Sequence, residues 1–213
     1  MDTLLLILHV VGGTLALLAL PVALLARKRR GVHTAAGLAF VAGMAVAVGS
    51  AFPLAVLIGS PFLGAVAAFS AYLIASGWRW IRRPGVGTSA AWGRGLAAAM
   101  LVAALPMGVQ GIAQVAAGDG LGAVLLVFAA IGGSLAIEDL RSLSAERLGK
   151  AARTTLHLGR MIGGGIATVT AVLVVNVAFE PAWVVWLAPT AVGAPLIAVW
   201  SARLAPKRPS ART

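Results

Sequence analysis

The 213-residue chain has no cysteine, which excludes a disulfide framework, thiolate metal ligation and iron–sulfur clusters. Acidic residues are scarce: six Asp and Glu stand against 17 Lys and Arg. Charged residues make up only 11% of the chain and hydrophobic ones 60%, with a mean hydropathy of +0.97. That is too little polarity to cover a soluble domain, so the composition defines an all-α, polytopic membrane protein. A net charge of +11 would suggest nucleic acid for a soluble protein. Here the cations flank apolar runs, and the lipid bilayer, with its anionic inner-leaflet lipids, is the simpler partner; no nucleic acid is expected.

A crossing helix needs about 20 apolar residues. Seven segments qualify, at about 3–26, 34–58, 61–81, 90–116, 120–139, 154–179 and 183–204. All Lys and Arg fall at 27–30, 79–83, 94, 141–160 and 203–212, which are the connections and ends on one side of the membrane. Basic residues resist translocation, so that side is expected to be cytoplasmic, with the N-terminus outside and the C-terminus inside. The other side carries only Asp2, Asp119 and Glu180. Trp78, Trp80, Trp92 and Trp200 at inner ends, and Trp183 and Trp186 at an outer end, read as aromatic belts. The chain begins Met-Asp without a basic n-region, so the first apolar run reads as a retained helix, not a signal peptide. Usage rich in Ala, Gly, Val and Arg suits the inner membrane of a bacterium with a GC-rich genome.

The reading is one seven-helix domain over 1–205 with a basic cytoplasmic tail at 206–213. Outer connections at 59–60, 117–120 and 180–181 are short enough to force antiparallel neighbours. The one longer connection, 140–153, contains a stretch at 144–147 that could form an interfacial turn. Small residues at four-residue spacing, Gly12 with Ala16 and Gly159 with Gly163, read as close helix packing. Pro21, Pro106 and Pro195 are expected to bend their spans or free a carbonyl. No internal repeat of the secondary-transporter kind is present.

Ionisable groups inside a membrane usually face the bundle interior and mark function. They fall in two layers. His33, His157, Arg160, Arg94, Glu138 and Asp139 lie at inner depth. His9 lies roughly 20 Å further out, beside Gln110, Gln114 and Asn176. One metal ion therefore cannot take all three histidines. His157, Arg160, Met161 and Gly164 share one face of span six, and His33 is followed one turn on by Gly37. A histidine with a glycine beside it suits a bulky planar cofactor: an imidazole to ligate and a missing side chain where the ring edge passes. Arg160 and Arg94 would pair with propionates. Two histidines from two helices are the minimum for six-coordinate b-type haem. The plainer reading makes His33 and His157 interfacial residues and pairs Arg160 with Glu138 or Asp139.

Three stretches carry a resemblance: Leu8-His9-Val10-Val11-Gly12-Gly13, His33-Thr34-Ala35-Ala36-Gly37, and His157-Leu158-Gly159-Arg160-Met161-Ile162-Gly163 continuing to Asn176. Together they resemble a family of predicted bacterial multi-pass membrane proteins known as a domain of unknown function. That family has a first-helix histidine, an H-R-x-x-G-like start to the second helix and a late H-x-G-R-M-I-G. Thr34 stands where that motif usually has arginine, so no role of that arginine carries over. The resemblance implies the same three histidines and no particular chemistry.

Three functions compete. The leading one is electron transfer by haem b near the cytoplasmic face, ligated by His33 and His157. His9, Gln110 and Asn176 would then form an outer proton, quinone or second-cofactor site. The second is a permease for a small solute or proton along His9, Gln110, Asn176 and His157. The third is an intramembrane metal-dependent hydrolase with zinc on His33, His157 and Asp139 or Glu138.

Overall fold

The computed structural model describes residues 2–28, 31–82, 88–144 and 148–204. Expectations placed on residues 29, 30, 83 and 145–147 and on the 206–213 tail lie outside these. The described residues form seven helices: α1 (Asp2–Leu25), α2 (Val32–Leu57), α3 (Pro61–Ile81), α4 (Thr88–Ala116), α5 (Leu121–Ser144), α6 (Lys150–Asn176) and α7 (Trp183–Leu204). All seven are long and apolar enough to cross a membrane. The protein is a multi-pass, lipid-contacting bundle, and helix alternation places every described Lys and Arg at one end of it, the basic end.

Three boundaries depart clearly from expectation. Helix α5 runs past Glu138 and Asp139 to Ser144, whose Oγ donates to Leu140 O at 3.0 Å, and α6 begins already at Lys150. The connection expected over 140–153 is therefore mostly helix. Hydropathy finds only the lipid-spanning part, whereas backbone pairing continues where side chains turn polar. At its other end α6 stops at Asn176 instead of running to 179. Helices α1, α4 and α7 continue through Pro21, Pro106 and Pro195.

Two turns at the other end share one design. Helix α2 ends with Ser60 N donating to Ala55 O and Gly59 N to Val56 O; α4 ends with Asp119 N to Gln114 O and Gly118 N to Val115 O. Both patterns are Schellman caps, which need a left-handed residue, and Gly59 and Gly118 supply it at φ +63° and +82°. Ser60 then caps α3 and Asp119 accepts from Leu121 N at the start of α5.

Sequential pairs α1–α2, α4–α5 and α6–α7 pack as hairpins around α3, which touches α2, α4, α5 and α6. Half of the α3 span is buried, the largest share of any span. Where α1 meets α2, a Cβ on Gly12 would stand 2.7 Å from Gly43 O, and one on Gly43 would stand 2.7 Å from Ala16 N, so backbone lies directly on backbone. Gly111 and Gly122 do the same for α4 and α5. Among the described residues no Cα of α5 comes within 8 Å of α6, although the two are consecutive. Near the opposite end α7 leans on α5, with Trp183 against Gly120, and Trp186 meets Phe62 of α3 edge-on at 4.9 Å.

Candidate functional site

The most polar buried point of the bundle is Asp139, 3% exposed, near the basic end of α5. Helix α3 faces it with Tyr72, Ser76 and Trp80, spaced one turn apart on one stripe. Tyr72 OH donates to Asp139 Oδ2 at 2.7 Å, the Ser76 hydroxyl donates to the same oxygen, and Trp80 Nε1 donates to Oδ1 at 3.0 Å. From α6, Arg160 Nη2 donates to Oδ1 at 2.6 Å, to Leu135 O at 3.0 Å, and pairs with Glu138 Oε2 at 2.8 Å. Each carboxylate oxygen of Asp139 thus accepts twice, which fills its hydrogen-bonding capacity. Arg79, 7% exposed, adds a second cation within electrostatic reach of Asp139, and its guanidinium lies over the Trp80 ring at 4.5 Å and against Gly93 of α4. Two arginines balance two carboxylates. The set ties α3, α5 and α6 together and leaves no oxygen of Asp139 free for a metal or a substrate proton.

Arg160 therefore takes the pairing with Glu138 and Asp139 and not the propionate role expected of it. Trp80, expected in the aromatic belt, is 3% exposed and spends its indole N–H on Asp139. Arg79, grouped in the sequence with the basic connections and ends, is likewise interior. Of this set Asp139, Glu138 and Arg160 stand out in the sequence as ionisable groups at inner depth, whereas Tyr72 and Ser76 do not and Trp80 reads there as a belt tryptophan. Their four-residue spacing, with the only tyrosine of the chain at its start, was the available signal.

The three histidines behave alike. His9 Nδ1 lies 2.8 Å from Ala47 O, His33 Nδ1 2.9 Å from Ala23 O, and His157 Nδ1 2.9 Å from Gly77 O. A carbonyl only accepts, so Nδ1 carries the proton in each ring, and Nε2 of the neutral imidazole keeps its lone pair. Each bond crosses to another helix, which makes the histidines interhelical ties as well. His33 and Lys28 are electrostatic neighbours of His157. Lys28 Nζ caps the end of α1 by donating to Ala23 O and Leu24 O, where partial burial lowers its pKa. Gly37 is half-buried, and a Cβ there would meet nothing within 4 Å.

Other expected groupings do not assemble. Arg94 is exposed on α4, one residue off the stripe Gly93, Ala97 and Met100 that the helix buries, and α4 packs on neither α2 nor α6. The outer layer is dispersed: His9 belongs to α1, which packs on α2 and α6, and Gln110 to α4, which packs on α3 and α5. Asn176 is exposed and donates to Val172 O of its own helix. Among the described residues no group of three His, Asp or Glu side chains is arranged to hold a metal ion, so the expected zinc triad does not assemble.

Fold and site together define a membrane-embedded helical bundle locked near one end by a buried ion cluster. No family model, curated protein or solved structure matches the chain.

Proposed function

We propose that this is an electron-transfer protein of the bacterial inner membrane, N-terminus outside and C-terminus cytoplasmic, holding haem b between His33 and His157 near the cytoplasmic face. The observation that carries the reading is the pair of Nδ1–H bonds to Ala23 O and Gly77 O. Ligating histidines need this support: the bond fixes ring and tautomer and presents Nε2 to a metal. Three further features fit the group. The two imidazoles are electrostatic neighbours, the α2 and α6 backbones nowhere approach within 8 Å among the described residues, and Gly37 leaves open space one turn from His33. With Arg160 paired to Glu138 and Asp139, and Arg94 on a helix that packs on neither α2 nor α6, Lys28 and Arg153 take the propionate role. Lys28 stands near His157, and Arg153 lies one turn before it with a buried Nε that has no partner. When bound, the group would supply one-electron chemistry; the chain's own residues orient two imidazoles and place cations beside them.

Purified protein, expressed with haem supplied, is expected to give a reduced b-type visible band near one haem per chain. His33→Ala and His157→Ala should each abolish it. A colourless wild-type protein, or a band that survives both substitutions, overturns the reading.

A further inference from the structure

A cavity of about 350 Å³ runs along the gap between α5 and α6, walled on one side by α7 and floored by α3. Its size is that of a ligand pocket. Gly159, Gly163 and Ala167 of α6 leave room there, and a Cβ on Gly159 would meet nothing closer than Ile197 at 3.8 Å. Small residues alone would mark packing. Here, however, two side chains that line the cavity and are 2% exposed each have a polar atom without a hydrogen-bond partner, Arg160 Nε and Thr170 Oγ1. Buried polar atoms are almost always satisfied, so these point to something absent from the protein itself.

We propose that this cavity binds a single-chain amphiphile with an uncharged, hydroxyl-bearing head, the head between Glu138 and Arg160 and the chain along Gly163 and Ala167 toward Thr170. The length fits: ten residues of α6 from Arg160 to Thr170 span about 15 Å, half of a hydrocarbon core of ~30 Å. The walls between these ends are apolar, so one leaflet's depth of chain is accommodated. Charge decides the head. Arg160 is already balanced by Asp139 and Glu138, so a cationic head would face Arg160 and an anionic one Glu138. A hydroxyl can do what neither can, accepting from Arg160 Nε and donating to Glu138. An isoprenoid quinol and a neutral lipid alcohol both present this chemistry. The proposal does not depend on haem binding.

The test uses the full chain in phosphatidylcholine nanodiscs and two probes with a diazirine at the chain end, one a monoacylglycerol and the other a benzoquinol. Photolysis and peptide mapping should place adducts on the α6 segment 166–170 and the facing part of α7. Ala167→Phe, which fills the cavity, should remove them, and Glu138→Gln should weaken binding by about tenfold. Competition between the unlabelled compounds then identifies the source: preference for quinol assigns the site to redox chemistry, and preference for monoacylglycerol assigns it to lipid. Adducts spread over all seven helices and unchanged by Ala167→Phe would overturn the site. A fatty acid displacing both probes would overturn the uncharged head. A colourless protein that is still labelled on α6 would sink the haem reading alone.

Discussion

Arg160 has two sides, and they differ. Toward Asp139 every oxygen is taken: Tyr72, Ser76, Trp80 and the guanidinium itself saturate the carboxylate. Among the residues that line the cavity, Arg160 Nε and, further along the same helix, Thr170 Oγ1 have no partner. Both regions are buried and both contain polar atoms, so burial alone does not separate structure from function. Satisfaction does. A closed set of donors and acceptors holds helices in register, whereas leftover donors beside empty apolar walls mark a place for another molecule.

The contrast can be broken most strongly at its shared residue. Arg160→Met removes the cation and leaves Asp139 buried with a negative charge, and unfolding in bicelles should register a loss of about 3–5 kcal/mol. Adding Asp139→Asn should return much of it, because the stranded charge goes too. Strict additivity of the two substitutions would show that they do not act as a pair. A smaller effect is expected on the saturated side from Trp80→Phe, which deletes one donor to a charged acceptor. Its loss of about 1.5–3 kcal/mol should appear in the same unfolding curves. The smallest belongs to the cavity: Thr170→Val replaces an unpartnered hydroxyl with a methyl of similar shape, so stability should stay level or rise by a few tenths of a kcal/mol. A loss of ~1 kcal/mol or more would mean that Thr170 is bonded after all, and the two sides would no longer differ in kind.

The spans were legible because each is an apolar run with charged or turn-forming ends, and Gly59 and Gly118 mark two of the connections in plain view. What hydropathy could not reveal was a helix continuing past its apolar run, as α5 does to Ser144. Partnership was harder still. Gly12 with Ala16 and Gly159 with Gly163 are the same pattern in sequence. The first receives the backbone of α2, while the second fronts a cavity, and the difference lies wholly in what stands opposite. Trp80 sits among basic residues as a belt tryptophan would, and only the neighbourhood of α3 and α5 turns it inward. The outer layer of His9, Gln110 and Asn176 was drawn from depth alone. Depth says nothing about which helices adjoin, and α1 packs on α2 and α6 whereas α4 packs on α3 and α5. Pairing of Arg160 with Glu138 or Asp139 was visible as one of two options because opposite charges at equal depth have few other partners.

The missing contact between α5 and α6 makes the molecule divisible. Three helical hairpins are strung on one hub, and the connection at 145–149 joins two helices that do not pack on each other. A cut there would sever no backbone interface, since α3 packs on both α5 and α6 and the ion cluster bridges the gap. Two separately inserted pieces, ending and beginning at that connection, would carry every complementary surface needed to find each other in the bilayer.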